Sequence, residues 1–241
     1  MDAQFDDLLC ARYPTIFRDR HASMQRTAMC WGFSCGSGWF TLIDTLCAEI
    51  QRHVEATQIE PVIAVQVKEK FGALRFYTTG GVQYTRGLIW FADALSAVVC
   101  EECGAPALSS GSGWIVTRCA DHAGVAFPLD QPNPYGDDDE PDHFHIATPE
   151  RLATWERARA FRLPPTGTRG WRHIALTLEH TIRNDLRHNG LPGVMIVGSN
   201  ESDGLRYEWL GGDDHGRVAA MLRLAEAYSA RCDRQTGRPA V

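Results

Sequence analysis

An internal repeat places the strongest constraint on how this chain can fold. Residues 38–72 align without a gap with residues 170–204, and after small shifts the match continues to residues 106 and 239. The aligned pairs include Gly38/Gly170, Trp39/Trp171, Leu46/Leu178, Ile50/Ile182, Glu69/Glu201, Gly72/Gly204, Arg75/Arg206 and Arg86/Arg217. A repeat of about 70 residues predicts two copies of one structural unit.

Hydrophobic periodicity predicts the architecture of that unit. Apolar residues recur at helical spacing over residues 39–54 and again over residues 85–99, so we expect a helix at each end of the first copy. Residues 62–67 and 73–79 between them have the composition of strands, with residues 68–72 as the turn. The second copy repeats the pattern, which predicts two α-β-β-α units.

The predicted fold class is α+β. A two-stranded hairpin with two helices has little core of its own, so we expect two diverged repeats packed as a pseudo-symmetric body. We also expect their hairpins to join in one four-stranded antiparallel sheet. The predicted parts are an N-terminal extension (1–37), repeat 1 (38–106), a zinc lobe (100–126), an acidic proline-rich linker (127–148), a linking helix (149–169) and repeat 2 (170–239).

Four residues at metal-ligand spacing predict one structural Zn²⁺ site. Cys100 and Cys103 have the spacing of a zinc knuckle, and Cys119 and His122 form a second pair after fifteen intervening residues. The segment between the pairs has the composition of a short hairpin, as in a treble-clef or zinc-ribbon lobe. Because four such ligands leave no open position, the metal is expected to stabilise and not to catalyse. Coincidental buried cysteines are the alternative.

Four further residues raise the alternative of a second metal site. Cys30 and Cys35 lie in a glycine-rich segment before the first repeat, and Cys10 or His21 could complete a ligand set. The Cys-x4-Cys spacing is looser than that of a knuckle, and free cysteines are commonly buried without binding a metal. We therefore favour a single metal ion.

Charged residues on the predicted hairpins and second helices define a candidate binding surface. They are Glu69, Arg75, Arg86, Glu201, Arg206 and Arg217. A surface salt bridge at a strand end is the simpler interpretation of these charges. An enzyme whose active centre contains Cys30, Cys35, Glu69 and Arg75 is the alternative, although no Ser/His/Asp or Cys/His order is recognisable in the sequence.

The segment 151–172 has a local excess of positive charge. Its arginines are Arg151, Arg157, Arg159, Arg162, Arg169 and Arg172. Such a face could contact phosphates, which makes a nucleic-acid-binding module a further alternative. The whole chain has a formal net charge of −6 and gives no general attraction to nucleic acid. We therefore favour a protein or a small ligand as the partner.

Cysteine usage and hydropathy predict a cytoplasmic protein. Eight cysteines in 241 residues are too sparse for a disulfide scaffold. The first residues lack the basic and apolar regions of a secretory signal. No apolar run approaches the roughly 18 to 20 residues that span a bilayer, so no membrane partner is expected.

Three stretches resemble a group of bacterial, prophage and phage proteins. They are CWGFSCGSGW (30–39), VQVKEKFGALRFY (65–77) and CEECGAP (100–106). The resemblance covers about residues 13–122 and implies a bacterial or phage origin, with no activity attached. Together with the closed metal site and the duplicated scaffold, it predicts a non-catalytic, zinc-stabilised binding or regulatory protein.

Overall fold

The computed structural model describes residues 1–111, 113–130, 166–189, 194–211 and 216–240, which form a mixed α+β protein. The helices are α1 (Ala3–Arg12), α2 (Phe40–Thr57), α3 (Gln83–Ser96), α4 (Arg172–Asn189) and α5 (Arg217–Ser229). The strands are β1 (Phe33–Ser34), β2 (Ile63–Lys70), β3 (Ala73–Thr79), β4 (Ala107–Ser110), β5 (Val116–Arg118), β6 (Val125–Ala126), β7 (Val194–Asn200) and β8 (Leu205–Gly211). Most of the predicted linker and linking helix lies outside the described residues.

The centre of the molecule consists of four helices, two from each half of the chain. α3 and α5 pack most extensively against each other, and both contact α2 and α4. The apolar helical faces predicted from the sequence form this centre and are fully buried at Ile43, Leu46, Ile50, Ile174, Leu178 and Ile182. Within the described ranges, no helix has the length and apolar content needed to cross a membrane.

A glycine lets α3 and α5 approach closely. A Cβ atom at Gly87 would lie 2.6 Å from the carbonyl oxygen of Arg217 and 3.1 Å from the Cβ atom of Ala220. Glycine inside a helix costs about 1 kcal/mol relative to alanine. The close helix contact gives a physical reason for a glycine at this position.

The first hairpin is longer than the sequence indicates. β3 has the predicted bounds, but β2 continues to Lys70, so the turn contains Phe71 and Gly72 alone and not residues 68–72. Both turn residues have positive φ angles, 57° for Phe71 and 74° for Gly72. Two positive φ angles match the right-handed twist of hairpin strands.

The predicted four-stranded sheet is wrong. β1, β2 and β3 form one sheet in that order, with β1 parallel to β2, whereas β7 and β8 form a separate sheet. β1 occupies the outer edge of β2. At the outer edges of β3 and β8, Leu74 and Leu205 donate their N–H groups to Ser96 and Ser229 over 2.7 and 2.8 Å. A helix side chain therefore occupies one outward N–H group of each of these two strands, at Leu74 and at Leu205.

Residues 1–37 contribute to the same core as the four central helices. The buried carboxylate of Asp44 on α2 accepts hydrogen bonds from Arg12 and Tyr13, each at 2.9 Å, and from Arg231 at 2.6 Å. One carboxylate thus joins the end of α1, α2 and the segment after α5. Burial opposes ionisation of Asp44, but these three donors hold its pKa below the ordinary value.

One histidine of α4 is buried without charge. His173 is fully buried, and its ring centroid lies 5.9 Å from that of Phe127. Burial lowers the pKa of His173 from 6.5 to about 4. The folded protein therefore holds this imidazole neutral at a pH where the unfolded chain would protonate it.

We expect the free energy of unfolding to decrease as the pH falls from about 6.5 to about 4. The unfolded state takes up the His173 proton first, so protonation favours unfolding by on the order of 3 kcal/mol at the lower end. Urea unfolding at a series of pH values measures this. His173→Leu should reduce the pH dependence, and the exposed control His188→Gln should not. Equal slopes for wild type and His173→Leu would contradict the prediction.

Candidate metal centre

The four predicted ligands lie together after α3. The ligand atoms of Cys100, Cys103, Cys119 and His122 are all within 4.8 Å of one another. Cys100 Sγ lies 3.6 Å from His122 Nδ1, Cys119 Sγ lies 3.3 Å from the same nitrogen, and the Sγ atoms of Cys103 and Cys119 are 3.7 Å apart. Tetrahedral zinc sites with bonds of about 2.0–2.3 Å place their ligand atoms roughly 3.5–3.8 Å apart. Three of the distances are close to these values, and the cluster could bind one metal ion.

A small antiparallel sheet brings the two ligand pairs together. Cys100 and Cys103 lie in the turn after α3, and β4 and β5 then reverse the chain direction. Cys119 immediately precedes the short 3₁₀ helix Ala120–His122, which carries the fourth ligand. β6 pairs with the other side of β4. The hairpin expected between the ligand pairs is present.

The surroundings of Cys100 favour the thiolate that metal binding requires. Burial of Cys100 opposes ionisation, but backbone N–H groups of Cys119, Cys103 and Glu102 hold the pKa of its thiol below the ordinary value. Metals bind cysteine as the thiolate. Burial raises the pKa of the Cys103 thiol to about 12, so a bound metal ion would have to displace the proton of that thiol.

The knuckle turn packs around the glycine-rich segment before α2. Glu101 accepts hydrogen bonds from two glycines of that segment, at its carbonyl oxygen from Gly38 and at Oε1 from Gly36, each over 2.8 Å. A Cβ atom at Gly38 would lie 2.6 Å from the amide nitrogen of Gly104. The sequence pattern did not show that these two glycine- and cysteine-containing motifs form one contact.

The second half contains a similar turn that is closed by a carboxylate. Asp233 and Thr236 align with Cys100 and Cys103. Asp233 Oδ1 accepts hydrogen bonds from the amide of Gln235 at 3.1 Å and from both the amide and the hydroxyl of Thr236 at 2.7 Å. These bonds hold the aligned positions together without a metal.

The backbone of the two turns makes matching contacts. Gly104 donates to the carbonyl of Cys100 over 2.8 Å, and Gly237 donates to that of Asp233 over 2.9 Å. Gly170 in turn donates to the carbonyl of Arg234 over 3.2 Å, as Gly38 does to that of Glu101. The Cys100–Cys103 turn and the turn closed by Asp233 therefore share the same backbone hydrogen bonds.

The residues of the alternative second metal site, Cys10, His21, Cys30 and Cys35, do not form a cluster of potential ligands. Among the described residues, the Cys100 cluster is the one group of three or more potential ligands. Burial and the neighbouring Asp6 raise the pKa of Cys10 to about 12. Burial likewise raises the pKa of Cys35 to about 12. Neither thiol is readily ionised.

Three residues of the candidate binding surface have local structural contacts. Glu69 Oε1 accepts a hydrogen bond from the amide of Gly72 over 2.7 Å and so closes the hairpin turn. Arg206 forms an ion pair with Asp203 at 2.8 Å and lies 3.8 Å from Glu201.

The other three residues of that surface surround α3. Arg75 forms an ion pair with Asp93 at 2.5 Å. Arg86 is exposed on α3. Arg217 forms an ion pair with Asp185, and its guanidinium lies 4.8 Å from the centroid of the Trp90 ring. The structure thus brings Arg75, Arg86 and Arg217 to one region around Trp90 and Asp93 of α3.

The arginine-rich segment is only partly described. Arg151, Arg157, Arg159 and Arg162 lie outside the described residues. Arg169 forms an ion pair with Asp130 at 3.2 Å, and Arg172 is partly buried at the start of α4.

Comparisons of the chain with protein-family models, with curated proteins and with solved structures give no match.

Removing one metal ligand should release the ion and loosen the contact that it supports. We expect Cys103→Ser to lose most of its bound metal and much of a metal-binding free energy on the order of 10 kcal/mol. Amide hydrogen exchange at Gly36 and Gly38 should accelerate. Metal analysis and exchange measured by mass spectrometry test this, with Cys30→Ser as a control that keeps the metal. Full metal content in Cys103→Ser, or metal loss in Cys30→Ser, would contradict the assignment.

Removing the carboxylate of the second turn should have the complementary effect. We expect Asp233→Ala to keep its metal but to accelerate amide exchange at Gly170 and Gly237 and to lower the melting temperature, because three hydrogen bonds are lost. Asp233→Asn, which keeps an acceptor oxygen, should be less affected. The interpretation fails if both variants exchange like the wild type.

Proposed function

We propose that this chain is a non-catalytic binding or regulatory protein of bacterial or phage origin, stabilised by one zinc ion. The observation that carries the proposal is the closed set of four ligands, which leaves no position for a substrate or for a reactive water. Its knuckle turn also packs against the segment that opens α2. A metal in this place would hold the scaffold together.

Zinc is the ion that the ligand set favours. Three thiolates and one imidazole are the soft and borderline donors of structural zinc sites, whereas Mg²⁺ and Ca²⁺ require oxygen ligands. When bound, the ion would be held by Cys100, Cys103, Cys119 and His122. It would supply the cross-link that the Asp233 carboxylate supplies in the second turn.

We further propose that the two α-β-β-α units are diverged copies arranged with approximate twofold symmetry. In support, the first tryptophan of each unit donates a hydrogen bond from its indole N–H to a backbone carbonyl in the segment after the last helix of that unit. Trp39 donates to the carbonyl of Val99 over 2.8 Å, and Trp171 donates to that of Cys232 over 3.0 Å. The turns also face each other, since Gly104 lies against Pro239 and Gly237 lies against Pro106.

Three of the four residues of the enzyme alternative have a structural explanation, and these are Cys35, Glu69 and Arg75. Cys35 is a poor nucleophile, because only the thiolate is reactive and burial raises the pKa of this thiol to about 12. Glu69 closes a turn, and Arg75 is paired with Asp93. These contacts explain the charged residues by structure and require no reaction.

Exposed aromatic residues support a protein as the partner. Phe71 is 67% exposed at the tip of the first hairpin, and Trp114 is 80% exposed at the tip of the metal-binding lobe. Gly72 lies beside Ile115, so these two tips are neighbours. Large aromatic side chains are enriched in protein interfaces.

A pull-down from bacterial lysate tests the proposed function. The tagged, metal-loaded protein should retain one stoichiometric protein partner, and treatment with nuclease should not release it. Metal analysis of the same preparation should find zinc. An eluate without any partner at physiological salt would contradict a binding function and would favour an enzyme with transient substrates.

A further inference from the structure

A groove of about 440 Å³ separates the outer edge of β3 from α3. Phe76 and Thr78 line it on the side of the strand, and Arg86, Trp90 and Asp93 line it on the side of the helix. The groove therefore combines a strand edge with a helix that carries charged and aromatic side chains.

The backbone of β3 has unused hydrogen-bonding groups on this edge. β3 pairs with β2 on its other side, and the N–H group of Leu74 points outward to Ser96. Backbone groups of alternate residues point to the same side of a strand, so those of Phe76 and Thr78 also point outward. In the described part of the chain, no residue accepts a hydrogen bond from Phe76 on that side.

The second half uses the corresponding N–H group internally. Tyr207 aligns with Phe76, and its amide donates to Glu226 Oε1 over 2.8 Å. The residue aligned with Glu226 is Asp93, whose side chain is shorter by one methylene and which pairs with Arg75 instead. The difference between aspartate and glutamate thus leaves one strand edge open and closes the other.

The side chains of the groove indicate the chemistry of its ligand. Arg86 is exposed and forms no ion pair with a described residue, while Arg75 neutralises Asp93. Trp90 is 41% exposed and Tyr77 is 43% exposed, so the groove also offers apolar surface. The unpaired charge is complementary to a carboxylate, and the rings are complementary to an apolar side chain.

We propose that this groove binds an extended peptide segment of a partner protein that carries an acidic and an apolar side chain. The segment lies beside β3 and extends the β1-β2-β3 sheet. Its backbone forms hydrogen bonds with the outward N–H and C=O groups of Phe76 and Thr78, as peptides do in strand addition. Arg86 binds the acidic side chain, and Trp90 packs against the apolar one. The inference rests on the proposed binding function and assigns its surface.

Selection of peptides tests the proposal with a defined probe. A library of random dodecapeptides is selected on the metal-loaded protein, and the enriched peptides are synthesised with a fluorescent label for anisotropy measurements. We expect an acidic residue in the enriched peptides. Asp93→Glu should weaken their binding at least tenfold, because the longer side chain closes the Phe76 amide while keeping its charge. Arg86→Glu should weaken peptide binding by a similar factor. A peptide in which lysine replaces the acidic residue should bind the Arg86→Glu variant as the original peptide binds the wild type.

Glu226→Asp is the matched control, since it makes the same change in the opposite direction in the other half and should leave binding unchanged. All variants are first compared with the wild type by melting temperature and metal content. The proposal is overturned if no peptide is enriched, or if the enriched peptides bind Asp93→Glu and Arg86→Glu as they bind the wild type.

The partner from the lysate separates this inference from the proposed function. A partner that both groove variants retain as well as the wild type shows that the binding function is correct and that the groove is the wrong surface. Loss of the partner from both variants, but not from Glu226→Asp, supports the groove. If the wild type retains no partner, the proposed function fails, and the peptide selection alone decides whether the groove binds peptides.

Discussion

The structure depends on the contact between a glycine before the first helix of each half and the turn after its last helix. A Cβ atom at Gly38 would lie 2.6 Å from the amide of Gly104, and one at Gly170 would lie 2.6 Å from the amide of Gly237. No larger residue permits this approach. Because the contact joins the two ends of a half, it fixes how the helices and the hairpin of that half pack.

The two halves hold this turn by different chemistry. In the first half, two cysteines of the turn contribute to a four-ligand cluster with Cys119 and His122. In the second half, the carboxylate of Asp233 accepts three hydrogen bonds from the turn itself. A cluster of potential metal ligands and a short carboxylate therefore lie at equivalent positions of two similar turns.

The sequence predicted the features that depend on local spacing and missed those that depend on distant partners. Cysteine pairs at knuckle spacing predicted the cluster that the structure brings together, and strand composition located β3. β1 has only two residues, so no periodicity reveals it, yet it blocks the edge of β2. The hydroxyl of Ser96 blocks β3 at Leu74. A four-stranded sheet was reasonable from hairpin composition alone, because edge contacts of this kind leave no sequence pattern.

The glycine of α3 has a consequence for how the molecule assembles. Gly87 allows α3 to meet α5, and these helices come from different halves, so each half completes the central helix packing of the other. Two such halves on separate chains would associate and dissociate with protein concentration. Within one chain, the association of the halves is intramolecular and does not depend on protein concentration. Dilution in the cell therefore does not separate them, and the surfaces at their junction keep their shape at any expression level.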